Sequence, residues 1–260
     1  MIYACRAIIV LLFTFYFLLF TFTLPSSAAE SPLQRRDHIT IAVKDNLPPL
    51  GFRDAKGNLQ GYEIDLAKAL VRDLVGKENA AKLQPVLNRD RLSMVIDGKV
   101  DLAIARVTAT ESRSRLVNFS IPYYLDGTLV ISKDSSIETL NNLINKRIAV
   151  LRNSSTIARV KYFIPKAQLV GVSAYEEARS LLQSNKIDAF AADASVLSGW
   201  VQQFPEYRLL IVPLSTEPLC VVIPKGLQYD EMRRKINNAI AGYIASGWLK
   251  ERADYWGLKL

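Results

Sequence analysis

The sequence predicts an α/β protein made of two successive units, and three observations carry that prediction. Short apolar strands alternate with amphipathic helical stretches along most of the chain, the pattern of a sheet layered with helices. The alternation restarts after a linker near residue 127. Finally, LLQSNKIDAFAAD at 181–193 echoes VIDGKVDLAIAR at 95–106: a helix end, a turn, an aspartate (Asp188 or Asp101) opening an apolar strand, and a polar residue (Asp193 or Arg106) at its far end. The same echo also follows from the ordinary grammar of any doubly wound sheet.

Composition bounds the class. A chain of 260 residues, half of them apolar, makes at most one large or two small domains and can bury a real core. One histidine and two cysteines argue against a zinc module, a disulfide-stapled scaffold and a histidine-centred triad. The net charge of +8 is scattered; its densest group, Arg233, Arg234 and Lys235, sits in an amphipathic segment whose basic face is solvated, and no nucleic-acid partner is expected. His38 is solitary and no oxygen cage stands out, so neither a metal nor a cofactor is called for.

Residues 7–20, AIIVLLFTFYFLLF, follow the weak positive of Arg6 and precede small polar residues, which predicts a secretory signal peptide over 1–29. Ser27 and Ala29 occupy the minus three and minus one positions for cleavage before Glu30. The apolar run is also long enough for an uncleaved membrane anchor. Cys5 leaves with the signal, and Cys220, inside LCVVI, reads as a buried small side chain.

The mature chain opens with the strand HITIAVK and a turn-rich stretch, then a helix in which Leu66, Ala67, Leu70, Val71 and Leu74 recur at helical spacing. RDRLSMVIDGKV forms a helix and turn leading to the strand DLAIARV. The second unit runs through LVISK, RIAVL, the turn NSS, a helix of about eight residues and the strand QLVGV; Ser173 to Glu176 then make a capping box ahead of EEARSLLQ. Residues 229–256 are mostly helical in spacing. Ligands of open α/β sheets collect beyond the carboxyl ends of the strands, so Arg106 and Asp193 would face each other there, one positive and one negative, a pairing suited to a zwitterion.

The segments GNLQGYEIDLAKAL, DGKVDLAIARVTATESRSRLVNFSIPYY, KRIAVLRNSSTIARV, NKIDAFAADASVL and CVVIPKG, in this order, resemble the exported amino-acid-binding proteins of bacterial ABC importers, the extracellular solute-binding proteins of family 3. Most specific is the run from Asp101 through Thr108, Thr110 and Arg113 to FSIPYY. The resemblance implies a two-lobed type II periplasmic binding protein fold with a ligand cleft between the lobes. Residues 30–127 would form the first part of lobe 1, 128–217 an inserted lobe 2, and 218–260 the return to lobe 1, with crossing segments near 127–132 and 218–223.

The resemblance also assigns roles. Arg113, whose planar guanidinium suits a carboxylate but which on its own residues reads more simply as a surface arginine in a salt bridge or at a helix end, would by the resemblance grip the ligand α-carboxylate, with Thr108 beside it and Thr110 nearby. Asp193, otherwise a cap for ASVLSGW, would receive the α-ammonium together with the carbonyl of Ala105. Tyr62, which on its own residues reads as an aromatic packed in the core ahead of a helix, would by the resemblance cover the ligand, and Leu47 would line the pocket where relatives commonly carry an aromatic. Ser154 and Ser155, at the start of the helix after Asn153, offer backbone donors and hydroxyls. Arg106 and Arg152 add a positive field that favours acidic or polar amino acids. The implied function is capture of a free L-amino acid in the periplasm by a monomer and delivery to a transmembrane ABC permease, with no catalysis. A cyclohexadienyl dehydratase-like enzyme and a ligand-sensing module on the same fold are the alternatives.

Overall fold

The structure, a computed structural model, describes residues 37–77, 79–152 and 154–258. The signal peptide, its cleavage site, Cys5 and Asn153 lie outside these residues.

The elements run β1 (Ile39–Val43), a meander of β2 (Asn46–Leu47), β3 (Gly51–Arg53) and β4 (Leu59–Gln60), α1 (Tyr62–Val75), β5 (Ala81–Pro85), α2 (Arg91–Ile96), β6 (Leu102–Ile104), α3 (Glu111–Ser114), β7 (Asn118–Phe119) and β8 (Tyr124–Asp126). There follow β9 (Thr128–Ser132), a 3-10 turn at Leu140–Leu143, β10 (Arg147–Leu151), α4 (Thr156–Phe163), β11 (Gln168–Val172), α5 (Tyr175–Gln183), β12 (Ala189–Asp193), α6 (Ala194–Gln203) and β13 (Arg208–Leu210). The chain returns through β14 (Glu217–Leu219) and β15 (Val222–Ile223) to a 3-10 turn at Leu227–Tyr229 and the helices α7 (Asp230–Ala245) and α8 (Trp248–Tyr255).

Two five-stranded sheets organise these elements. The first has the order β5-β1-β6-β15-β7, the second β11-β10-β12-β9-β13. In each, one inner strand pairs in parallel with both neighbours: β1 with β5 and β6, β10 with β11 and β12. Strands that arrive by the crossing segments, β15 and β9, pair antiparallel. The crossing itself is a two-stranded ribbon in which Asp126 of β8 faces Glu217 of β14. Gly127 follows, and a Cβ there would lie 2.0 Å from the Ser215 carbonyl, so only glycine lets the two crossing segments run this close.

The helical spacing in α1 has the expected consequence: Leu66, Ala67, Leu70, Val71 and Leu74 are all buried. Removing a leucine-sized side chain from water stabilises by about 1.5–3 kcal/mol, so this stripe anchors α1 to its sheet. The helix ends where Gly76 takes a left-handed conformation and its N–H reaches the Arg72 carbonyl at 2.7 Å.

The internal echo is physical. Asp101 accepts the Thr40 N–H at 2.8 Å and Asp188 accepts the Arg147 N–H at 2.8 Å, each carboxylate tying the start of one strand to the start of its parallel neighbour. The turns before them place Gly98 and Asn185 at positive φ, 66° and 55°. The expected capping box at Ser173 is different in the structure. Helix α5 starts at Tyr175 with Ala174 as a cap that lacks a side-chain bond, and the Ser173 N–H instead donates to the Glu177 carboxylate at 2.7 Å. The carboxylate one residue further along the first turn reaches the orphan N–H, so the serine hydroxyl is not needed.

Candidate functional site

The site grows from the carboxyl ends of β6 and β12. Beyond β6 the backbone turns sharply at Arg106, which holds φ 51°, an uncommon conformation for a side chain of this kind. Its N–H is anchored on the Glu63 carboxylate at 2.7 Å. The next residues are stitched to the returning strand: Cys220 N–H donates to the Val107 carbonyl at 3.1 Å and Ala109 N–H to the Pro218 carbonyl at 3.1 Å. Thr110 then caps α3, its hydroxyl accepting the Arg113 N–H at 3.3 Å, while Arg113 Nη1 donates to the Thr108 carbonyl at 2.8 Å. The fork of Arg113 is thereby oriented by its own turn.

Opposite stands Asp193, at the end of β12 and the start of α6. As the residue preceding the helix it was expected either to cap it or to face the cleft. It makes no side-chain cap bond. The capping is done by Asp126 of the crossing segment, whose carboxylate accepts the Ser195 N–H at 3.0 Å, the Ser195 hydroxyl at 2.8 Å and the Gly127 N–H at 2.9 Å. Asp193 is therefore available to the cleft, where Arg106 meets it at 2.5 Å.

Arg106 bridges both acids, with Nε 3.2 Å from Asp126 and Nη2 on Asp193. Burial works against its charge, but Asp193 and Asp126 outweigh that and hold its proton more tightly than usual. Burial also raises the Asp193 carboxyl, against the pull of Arg106. The rise at Asp193 follows from loss of water, whereas the rise at Arg106 comes from the two neighbouring carboxylates against that loss.

Two cavities flank this arginine. The smaller, about 230 Å³, is walled by Arg91, Arg106, Thr108 and Arg113 from the first lobe and by Ser154, Ser155, Thr156, Asp193 and Glu217 from the second lobe and crossing segment. The larger, about 560 Å³, takes Lys44, Leu47, Tyr175, Arg179, Trp200 and Phe204 together with Arg106. At the far side the lobes touch again, Gln202 Nε2 donating at 3.1 Å to the carbonyls of Trp256 and Gly257.

Of the nine residues singled out from the sequence, Arg106, Thr108, Arg113, Ser154, Ser155 and Asp193 converge on the smaller cavity. Leu47 lines only the larger one of the two. Tyr62 departs from its expected place. It is wholly buried in lobe 1, 5.8 Å from the Tyr124 ring, and its hydroxyl donates to the Tyr123 carbonyl at 2.8 Å. Before it stands Gly61, at φ 127° and so close to Leu50 that a Cβ would lie 2.4 Å from the Leu50 carbonyl. Ala105 is also fully buried, and its carbonyl accepts Arg91 Nη1 at 2.8 Å. Arg152 is exposed and lies along Gly171, in the lining of neither cavity.

Arg91 and Glu217 are wall residues that sequence reasoning missed. Arg91 belongs to a short helix start with no distinguishing pattern, and its Nη1 caps the carbonyls of both Ala105 and Arg106. Burial, with Arg113 and Arg106 close by, lowers its pKa to about 10.

Beneath the site, Glu63 is fully buried, accepts the Tyr123 hydroxyl at 2.5 Å, and has no partner for Oε2. Burial raises its pKa above the usual carboxyl value. A carboxyl that holds its proton more tightly when folded stabilises below its unfolded pKa and loses that contribution as pH rises towards the folded value. Urea unfolding at pH 4.5 and 7.5 should therefore show the wild type losing more stability than Glu63→Gln over this interval. Equal losses would contradict the assignment.

Two sheets joined by two crossing segments, with a polar cleft walled from both sides, define a two-lobed binding protein of the type II plan. The chain belongs to the bacterial extracellular solute-binding proteins, family 3, whose model matches residues 39–259. It is similar to a glutamine-binding protein of Geobacillus stearothermophilus, 31% identical over 72% of this chain and 72% of that one. It is also similar to the ABC transporter glutamine-binding protein of Bacillus subtilis (strain 168), 27% identical over 86% of this chain and 82% of the relative. Among solved structures, an ancestral cationic amino acid solute binding protein superposes with a TM-score of 0.75 at 26% identity, covering 86% of this chain and 97% of the other.

Proposed function

We propose that this chain is exported, acts as a monomer, and captures a free L-amino acid, acidic or polar, for delivery to the transmembrane permease of an ABC importer. One observation carries the reading: Arg113 and Thr108 of lobe 1 line the same 230 Å³ cavity as Asp193 and the Ser154–Ser155 helix start of lobe 2. A planar guanidinium with a neighbouring hydroxyl suits a carboxylate, and the opposite wall supplies a further carboxylate and helix-start N–H groups. The relatives named above bind amino acids according to their descriptions, and they differ in which one. Three arginines on the wall disfavour a basic side chain and favour an acidic or amide one.

Binding on this plan is a population shift. A ligand anchored on lobe 1 gains affinity when lobe 2 meets it, and closure around the crossing ribbon presents a different surface to the permease. No covalent step is required. Calorimetric titration of the mature chain, stripped of ligand by unfolding and refolding, with the twenty amino acids and prephenate tests the reading. Saturable binding of glutamate, aspartate, glutamine or asparagine is the expected result. Binding of none of the twenty would refute the substrate class, and turnover of prephenate would replace a receptor by an enzyme.

A further inference from the structure

The smaller cavity has three guanidinium groups and two carboxylates on its wall, and one of those carboxylates is already matched from within. Asp193 is held by Arg106 at 2.5 Å, and the same guanidinium is braced by Asp126, a carboxylate with no exposed surface. Backbone carbonyls of the wall residues are engaged as well: that of Arg106 by Arg91 and that of Thr108 by Arg113, while the carbonyl of buried Ala105 also accepts from Arg91. An incoming α-ammonium needs acceptors that it does not have to share with a guanidinium, because a buried ammonium left unpaired is costly. Glu217 is the remaining acid, with the Ser215 hydroxyl 3.4 Å away.

Arg106 is not a side chain caught in passing. Its backbone sits at φ 51° with the N–H fastened to buried Glu63, and its side chain is only 19% exposed between two carboxylates on different parts of the chain. The arrangement puts a tethered cation in front of the acid that would otherwise take the ammonium of a ligand gripped by Arg113.

We propose that Arg106 determines the ligand class of this cleft: by supplying the positive charge itself, it admits α-hydroxy and α-oxo carboxylates at least as readily as α-amino acids of the same carbon skeleton. A hydroxyl or keto oxygen accepts hydrogen bonds from a guanidinium, whereas an ammonium must either exchange with Arg106 at Asp193 or rely on Glu217 alone. The inference rests on the carboxylate-receptor reading of Arg113 above and extends it to ligands without an ammonium.

The test compares matched ligands by calorimetry: L-glutamate against L-2-hydroxyglutarate and 2-oxoglutarate, and L-aspartate against L-malate, on the wild type and on Arg106→Asn. Asparagine is the conservative choice for the backbone, since Asn79, Asn145 and Asn185 already hold φ of 59°, 62° and 55° in this chain. In the wild type, the hydroxy or oxo acid is expected to bind more tightly than the amino acid or within tenfold of it. Arg106→Asn should move that ratio at least tenfold towards the amino acid by opening Asp193. A wild-type preference for the amino acid of more than tenfold overturns the proposal and leaves the import reading standing. An unchanged ratio in a folded Arg106→Asn overturns it too. If the variant does not fold, the wild-type ratio alone decides. Absence of binding by all five compounds overturns this inference, and the titration with the twenty amino acids then decides separately whether the carboxylate receptor stands.

Discussion

Arg113→Ala is expected to weaken binding of the carboxylate ligand by about 30-fold to 4,000-fold, the equivalent of the 2–5 kcal/mol that removal of one partner of a hydrogen-bonded charge pair costs. The half-buried position of Arg113 favours the lower end of that range. Two features of the structure make the effect specific. The guanidinium is oriented by its own Nη1 bond to the Thr108 carbonyl, and the turn beneath is capped by Thr110, so the alanine variant keeps the cap and the fold. Arg113→Lys keeps the charge but not the planar fork, and should recover only part of the loss. Calorimetric titration gives the affinity, and thermal unfolding of the ligand-stripped variants should stay close to wild type. Retention of affinity within threefold in Arg113→Ala would remove the residue from the site.

Asp126→Ala should be the most destabilising single change at the cleft, by about 3–5 kcal/mol, as expected when one member of a buried charge pair is removed. For a protein of this size that corresponds to a fall in Tm of about 6–20 °C. The carboxylate has no exposed surface and accepts four hydrogen bonds: from Gly127, from both the N–H and the hydroxyl of Ser195, and from Arg106. It thus caps α6 of the second lobe from the crossing segment and braces an arginine of the first. Asp126→Asn preserves the shape and should lose less. Differential scanning calorimetry measures both, and a loss below 1 kcal/mol in the alanine variant would show that Asp126 is not the keystone of this network.

Much of the fold was legible because side-chain periodicity and turn chemistry act locally. The α1 stripe from Leu66 to Leu74 is buried as its spacing demands, and the paired aspartates Asp101 and Asp188 perform the same backbone tie in both sheets. The cleft was legible in part. Arg106, Thr108, Arg113, Ser154, Ser155 and Asp193 line one cavity, although no two segments among them are adjacent in sequence across the lobes. Tyr62 carried two readings, and the structure has it in the core, as its residues alone suggested, and not over the cleft, as the resemblance implied. Arg91 was not legible, since its reach to the carbonyls of Ala105 and Arg106 depends on the packing of a six-residue helix against the end of β6.

The sequence by itself determined the alternation of strands and helices, the twofold repetition of a sheet unit, and the presence of opposite charges at equivalent strand ends. Only the tertiary structure decided where those charges go. Arg106 and Asp193 are 87 residues apart in the same relation to their own sheets, and read along the chain they look like two halves of a receptor for a zwitterion. In the folded protein they meet each other, and Asp126 takes over the helix cap that Asp193 would have made. The physical reason is that desolvated charges require partners, and which partner is nearest depends on the approach of two lobes, a distance that no local pattern encodes.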